Sequence, residues 1–246
     1  MGDSSNPSRK LRVVTSLLQR AATLFVRSQL TAVQTLEVDL GGGDRQLLSG
    51  SIPRVALAAQ GAVYQGLHLS NIQVEGQDIQ INLGQVLRGK SLQLIHEIQL
   101  KAALALEETD LNASFASPLF DDLLCRLFQA IASYLDVPSS LETLSRQDIQ
   151  SVKASLFEDG LSLRLLFANP DLEGHCLTAR ARLVSKNPRI LTFRDVRIEF
   201  GLETESPSSE ATIPYVPLPL GSDVEIHDLK LTEGALHCQG TIRVRP

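Results

Sequence analysis

Apolar side chains alternate with polar ones along successive short runs between residues 47 and 106. Ile79, Ile81 and Leu83 show the pattern, with one polar residue between each pair. A period of two places alternate side chains on opposite faces of a β-strand, so that one face is buried and the other is solvated. Parallel sheets are normally covered on both faces, and the pattern therefore predicts an antiparallel sheet.

The alternation changes phase within one of these runs. Leu69 belongs to one phase, whereas Ile72 belongs to the other. An extra residue in a strand shifts the following side chains to the opposite face and increases the local twist. We therefore expect a bulge near Ser70 and Asn71 and a strongly curved sheet.

A spacing of three or four residues replaces the alternation in two other regions. Apolar residues recur with this spacing from Leu11 to about Leu36, which predicts a long amphipathic helix. A second helix is predicted from Ser117 and Pro118, because serine is a favourable N-cap and proline suits the first helical position. Strand patterns return after it, and the order of helix, strands, helix, strands indicates an α+β fold.

The chain is expected to form one domain. Its 246 residues are 43% hydrophobic and 21% charged, which is typical of globular proteins. Residues 1–9 are predicted to be a flexible N-terminus, and residues 10–246 a single domain. Residues 202–222 contain four of the eleven prolines and little periodicity, so they are predicted to form a long loop.

Basic residues are concentrated at the start of the chain. Residues 1–36 contain five arginines and lysines against the single acid Asp3, although the whole chain has a net charge of −5. Such a segment can contact an anionic membrane, and Arg12, Arg20 and Arg27 are the candidates on the predicted helix. An ordinary solvated helix face would give the same pattern.

The cysteines and the first residues indicate a soluble, cytoplasmic protein. Cys125, Cys176 and Cys238 are far apart in the sequence and odd in number, which predicts reduced thiols rather than disulfides. The chain begins with MGDSSNPSRK, which lacks the apolar run of a secretory signal.

Residues 84–91, GQVLRGKS, match the phosphate-loop pattern G-x-x-x-x-G-K-[ST] at every fixed position. A nucleotide-binding loop of this type joins a buried strand to a helix whose N-terminus faces the phosphates. Here the preceding strand alternates, and Leu92, Leu94 and Ile98 continue a strand-like pattern where that helix should begin. The segment is therefore predicted to be a connecting turn, and a nucleotide-dependent enzyme is the least favoured function.

Other motifs for catalysis or nucleic-acid binding are weak. The five histidines lack metal-ligand spacing, and solvation and helix capping account for the acidic Glu107, Glu108 and Asp110. Aromatic residues make up only 4% of the chain and tryptophan is absent, which disfavours base stacking. We predict that the protein is not an enzyme, uses no cofactor or metal and does not bind nucleic acid.

Three segments have a more specific pattern: GGDRQLLSGSIPRVALAAQGAVYQGLHLSNIQVEGQDIQINLGQVLRGK (42–90), LEETDLNASFASPLF (106–120) and LKLTEGALHCQGTIRVRP (229–246). They resemble a bacterial family of phospholipid-binding proteins named for a mycobacterial lipomannan elongation protein, especially its signal-less versions in photosynthetic bacteria. The resemblance covers about residues 10–246. It implies a tubular lipid-binding-like module, in which a strongly curved antiparallel sheet wraps around a long amphipathic helix, accompanied here by the second helix. An apolar groove or tunnel in such a module holds acyl chains.

The function implied by the resemblance is non-enzymatic binding of a phospholipid or another membrane lipid, with transfer or sensing as extensions. The expected partners are a phospholipid or glycolipid and, transiently, an anionic membrane, either the inner or a photosynthetic one. Candidates for contact with the headgroup or membrane are Arg12, Arg20, Arg27, Arg88 and Lys90. Candidates for the lipid groove are Leu18, Phe25, Val55, Leu57, Leu67, Leu69, Ile79, Ile81, Leu83, Leu124, Phe128, Ile131, Val196 and Ile198.

Apolar stripes of this kind also occur in ordinary protein cores. The alternative is therefore a structural or protein-interaction module with a fully packed interior and no ligand. The sequence leaves open the headgroup and chain preference, the donor and acceptor membranes, the pathway and the oligomeric state.

Overall fold

Two antiparallel sheets make up most of the described chain. The structure is a computed structural model that describes residues 7–118, 120, 124, 127 and 146–246, with side chains from residue 16 onwards except at positions 44 and 146. The helices with defined ends are α1 (Pro7–Gln29), α2 (Asp44–Leu48), α3 (Leu83–Val86) and α4 (Glu108–Ser114). The strands are β1 (Thr35–Gly41), β2 (Ser51–Tyr64), β3 (Leu67–Gln80), β4 (Ile98–Glu107), β5 (Ile149–Phe157), β6 (Gly160–Phe167), β7 (His175–Asn187), β8 (Ile190–Leu202), β9 (Ser209–Pro219), β10 (Val224–Thr232) and β11 (Ala235–Val244).

The first sheet has six strands in the order β1-β2-β3-β4-β11-β10, and the second has five in the order β5-β6-β7-β8-β9. All strand pairs are antiparallel, as the alternation predicts. The expectation of one sheet was wrong, because the chain leaves the first sheet after β4 and returns to it only with β10 and β11. The observed arrangement is a mainly antiparallel α+β fold whose two sheets are both open.

The change of phase in β3 is present, but it is not a bulge. Leu69 is buried and Ile72 is partly buried, so both face the interior. β2 makes the same change around Gly61, which has a φ of 55° and lies opposite Ser70. The pairing therefore keeps one register on both sides of the change. The predicted bulge was wrong because both strands change face together.

Residues 202–222 are not a long loop, because most of them form β9. This strand pairs with β8 along its length and lies at the edge of the second sheet. Proline has no N–H to donate to a neighbouring strand, but at a sheet edge the missing donor can face solvent. Pro217 and Pro219 occupy such positions, opposite Thr192 and Ile190. Proline content alone therefore misled the prediction.

Helix α1 packs against the first sheet. Leu18 and Ala22 are buried in a cluster with Val38 of β1, and the side-chain amide of Gln19 donates a hydrogen bond to the Val38 carbonyl. The helix ends at Gln29, before the limit that the sequence predicted. The chain then turns directly into the sheet, because backbone hydrogen bonds join residues 31–34 to the end of β2.

A second core lies on the inner face of the second sheet. It contains Val196 and Ile198 of β8, together with Leu124 and Leu127 from the described part of the predicted second helix. Residues 118, 120, 124 and 127 are helical. Phe128 and Ile131, which were also predicted for the groove, lie outside the described residues.

Helix α4 connects the two sheets through side-chain hydrogen bonds to strand backbones. The Asn112 amide donates to the Ala154 carbonyl at 2.9 Å, and its oxygen accepts from the Ala154 N–H at 2.7 Å. Glu108 accepts from the Leu156 N–H at 2.8 Å, and on the other sheet the Ser114 hydroxyl accepts from the His68 N–H at 2.8 Å. Because β5 is an edge strand, the contacts to Ala154 and Leu156 satisfy backbone groups that no neighbouring strand reaches.

We expect Asn112→Ala to lower the free energy of unfolding by about 2–4 kcal/mol. The change removes three hydrogen bonds, one of them to the Glu108 carbonyl at 2.8 Å, and leaves the N–H and carbonyl of Ala154, a fully buried residue, without partners. Urea denaturation followed by circular dichroism measures the effect. Thr109→Ala is the control, because Thr109 is an exposed residue on the same helix and its loss should cost less than about 0.5 kcal/mol. Equal stability of the two variants would contradict this role for Asn112.

Candidate functional site

A cleft of about 550 Å³ lies between α1 and the segment that follows α3. Its volume is within the range of about 300–1,000 Å³ that is usual for small-molecule sites. The helix contributes one wall and residues 86–92 contribute the other. The lining residues are Leu17, Arg20, Ala21, Leu24, Phe25, Ser28, Gln29, Val86, Gly89, Lys90, Ser91 and Leu92.

The floor of the cleft is apolar. Val86 and Leu92 are buried and belong to the same core cluster as Leu18, and Ala21 and Phe25 pack against that cluster from α1. The rim adds apolar surface, since the lining residues Leu17 and Leu24 are 42% and 67% exposed. The cleft therefore offers aliphatic surface that water reaches from outside.

The second wall is held by a compact turn. Helix α3 is a single turn that ends at Val86, and Gly89 has a φ of 78°, a value that glycine adopts without strain. The Asn82 side chain closes the segment: its oxygen accepts from the Gln93 N–H at 2.8 Å, and its amide donates to the Ser91 carbonyl at 3.1 Å. These bonds fix Lys90 and Ser91 across from α1.

The phosphate-loop pattern spans the end of the single-turn helix α3 and the turn after it, so it connects segments of the first sheet, as predicted. In the described residues 91–97 no helix follows the lysine and serine, and the segment instead runs back along the sheet through a bridge between Ile81 and Leu94. A nucleotide site of this type requires the amides of a helix N-terminus at that point. Lys90 instead lines the cleft.

Two cations border the cleft without carboxylate partners. Arg20 lies on one wall and Lys90 on the other, and the lining contains no acidic residue. Both side chains are exposed, and neither forms an ion pair with any residue in the described part of the chain. By contrast, Arg54 and Arg164 are paired with glutamates at 3.1 and 2.7 Å. The cleft is therefore a cationic site with an apolar floor.

Another cleft, on the outer face of the first sheet, has the opposite character. It measures about 400 Å³, and its lining includes Glu75, Asp78 and Glu97 against the single cation Lys101. Its glutamates are already paired, Glu75 with Arg54 at 3.1 Å and Glu97 with Arg243 at 3.3 Å, so this cleft lacks the surplus of cations found beside α1. Of these two clefts, the one beside α1 is the better match to a ligand with both an anionic group and a hydrocarbon chain.

The structure separates the residues predicted for the groove. Phe25 lines the cleft beside α1. Leu18, Val55, Leu57, Ile79, Ile81 and Leu83 pack in or against the core cluster beneath its floor. Leu67 and Leu69 belong to a neighbouring cluster, and Leu124, Val196 and Ile198 to the core of the second sheet.

Of the cations predicted to contact lipid, Arg20 and Lys90 line the cleft. Arg27 and Arg88 are exposed but do not line it, and the side chain of Arg12 lies outside the described part of α1. Sequence reasoning missed the rim residues Leu17 and Leu24. Their positions in the sequence could have indicated this role, because both leucines lie outside the buried face of α1 and beside its arginines.

Cys238 lies in an environment that disfavours reactivity. Cys176 and Cys238 are free thiols, and Cys125 lies outside the described residues. Burial raises the pKa of the Cys238 thiol to about 11, so this group is protonated at neutral pH and a poor nucleophile. Within the described chain, no helix combines the length and the apolar character needed to cross a bilayer.

Comparison with known proteins identifies the family. A family model described as LmeA-like phospholipid-binding matches residues 10–241. Comparisons with curated proteins and with solved structures gave no match. Because the matched segment covers nearly the whole chain, this protein belongs to the LmeA-like phospholipid-binding family.

Proposed function

We propose that the protein binds phospholipid without converting it, with an acyl chain in the cleft between α1 and residues 86–92 and the phosphate between Arg20 and Lys90. Membership of a phospholipid-binding family supports the ligand class. The observation that carries the location is the combination of an apolar floor with two cations that pair with no described carboxylate, in a lining without acidic residues. Transfer of the lipid between membranes is the activity that such a site would serve.

The apolar floor supports binding of the hydrocarbon chain. Each methylene group removed from water contributes about 0.8 kcal/mol, so even about six methylenes in contact with Ala21, Phe25 and Leu92 would contribute about 5 kcal/mol before ordering costs. Aliphatic side chains impose little directional preference on a flexible chain. The site is therefore expected to accept chains of different lengths.

The two cations support binding of the phosphate. Arginine can donate two parallel hydrogen bonds to phosphate oxygens, and lysine adds a mobile point charge. Arg20 and Lys90 belong to opposite walls, so a phosphate between them can contact both. Phospholipids with a net negative charge should therefore be preferred over zwitterionic ones.

The packed residues beneath the floor have a supporting role in this proposal. Leu18, Ile81 and Leu83 are buried against other side chains, so they hold the floor in shape and do not contact the ligand directly. Leu124, Val196 and Ile198 stabilise the second sheet instead. The lipid site would thus involve fewer of the predicted groove residues than the alternation of the strands suggests.

Native purification tests the function directly. We expect protein isolated without detergent to contain phospholipid in a stoichiometric amount, detected by organic extraction and mass spectrometry. Protein stripped of lipid should recover phospholipid from vesicles. Absence of both copurified lipid and uptake would contradict the proposal and favour a packed protein-interaction module.

A further inference from the structure

The exposed side of α1 carries leucines and arginines in alternation. Leu17, Arg20, Leu24 and Arg27 follow one another at spacings of three, four and three residues, which places them on one stripe of the helix. All four are exposed, and Leu24 is 67% exposed. This stripe runs along one rim of the cleft, because Leu17, Arg20 and Leu24 also line it.

The segment on the other side of the cleft also carries an exposed leucine and two cations. Leu87, which follows the lining residue Val86, is 48% exposed, and the next cations Arg88 and Lys90 are exposed as well. Each of the two segments that border the cleft therefore carries exposed leucine and two exposed cations. We call Leu24, Arg27, Leu87 and Arg88, together with the cleft mouth between them, the docking face.

The charge of the docking face is opposite to that of the whole chain. The two rims contribute four cations, Arg20, Arg27, Arg88 and Lys90, and neither residues 4–36 nor residues 79–96 contain an aspartate or glutamate. The chain as a whole has a net charge of −5. A negatively charged surface would thus repel most of the molecule and attract this face, which would orient the protein during approach.

A lipid bilayer matches this combination of groups. Exposed leucines can enter the boundary between headgroups and acyl chains, while neighbouring arginines and lysines contact phosphates. Nucleic acid also attracts cations, but it has no apolar layer to receive Leu24 and Leu87. The leucines therefore favour a bilayer as the occupant.

We infer that the docking face seats the mouth of the cleft on an anionic bilayer, with Leu24 and Leu87 inserted and Arg27 and Arg88 on lipid phosphates. This inference rests on the proposed function, because it gives the lipid a path from the bilayer into the cleft that does not cross water. It adds insertion of Leu24 and Leu87 into the bilayer, and it places Arg27 and Arg88, which the sequence already marked as candidates for membrane contact, on the same face.

The test is flotation with vesicles of equimolar phosphatidylglycerol and phosphatidylcholine. The variant Leu87→Ser/Arg27→Gln/Arg88→Gln changes only docking residues that do not line the cleft. The matched control is Leu202→Ser/Arg180→Gln/Arg197→Gln, which alters one leucine and two exposed arginines on the second sheet. We expect the first variant to lose about tenfold or more in vesicle association, because it removes one inserted side chain and two cations. The control should associate like the unaltered protein.

A water-soluble phospholipid separates docking from ligand binding. Dihexanoyl phosphatidylglycerol below its micelle concentration reaches the cleft without a membrane, so the docking variant should bind it as well as the unaltered protein does. Equal flotation of the docking variant and the unaltered protein would overturn the docking face even if this ligand binds. Failure of the unaltered protein to bind the ligand would instead contradict the proposed function.

The control variant and a milder substitution complete the test. Loss of vesicle association in the control variant alone would move the membrane contact to the second sheet and overturn the inference. If the triple variant does not fold, Arg88→Gln alone tests the same surface at an exposed turn. We expect it to weaken flotation by about fivefold at low salt, and unchanged flotation would overturn the inference.

Discussion

Replacing Ala21 with tryptophan is expected to abolish most phospholipid uptake. Ala21 lies on the floor of the cleft, where the indole ring would occupy the space of the acyl chain. Displacement of about four methylenes removes about 3 kcal/mol of binding free energy, which corresponds to roughly a 200-fold weaker affinity. Uptake of a fluorescent phospholipid from vesicles measures the change.

The fold should tolerate this substitution, because the new ring extends into an open cleft and not into packed core. Ala21→Ser is the control at the same position, since it keeps the cleft volume and should retain uptake within a few-fold of the unaltered protein. The melting temperatures of both variants, compared with that of the unaltered protein, show whether the fold is retained. If the tryptophan variant is folded and takes up lipid normally, the acyl chain is bound elsewhere.

The strands could be predicted because alternation is a local property. Ile79 and Ile81 are buried and Gln80 is exposed, as the sequence indicates. The alternation does not predict which strands pair. Nothing in the pattern of β4, for example, specifies that β11 will pair with it. The division into two sheets depends on such distant pairings, and the sequence therefore suggested one sheet where two exist.

The cleft could be predicted only in part, for a related reason. The spacing on α1 identifies Leu18 as buried and Arg20 as exposed, which the structure confirms. It does not reveal that Leu17 and Leu24 border a cavity, because that depends on where the distant residues 86–92 come to lie. Gly89 and Asn82 determine the path of that segment through a turn and two side-chain hydrogen bonds. A cavity between two distant segments cannot be recognised from the hydrophobic periodicity of either segment.

Reversing both cations of the cleft is expected to remove the preference for anionic phospholipids. The variant is Arg20→Glu/Lys90→Glu, and both side chains are exposed and unpaired within the described chain, so the fold should be retained. Each cation near an anionic lipid surface contributes about 1 kcal/mol, and losing two costs roughly 30-fold in affinity. The new carboxylates add repulsion. Uptake from phosphatidylglycerol and phosphatidylcholine vesicles, compared at low salt, measures the preference.

Two controls distinguish a local phosphate contact from an effect of net charge. One is an equal charge reversal elsewhere on the protein, and the other is the dependence of uptake on salt. Arg180→Glu/Arg197→Glu makes the same change in net charge on the second sheet and should leave the preference intact. The preference of the unaltered protein should also weaken as salt shortens the Debye length from about 10 Å at 0.1 M to about 3 Å at 1 M. Uptake of phosphatidylcholine, whose choline cation offsets its phosphate, should fall less than uptake of phosphatidylglycerol on reversal at Arg20 and Lys90. The Ala21→Trp substitution should reduce both equally, because it blocks the acyl chain. If both reversals reduce anionic uptake equally, net charge rather than the cleft determines the preference.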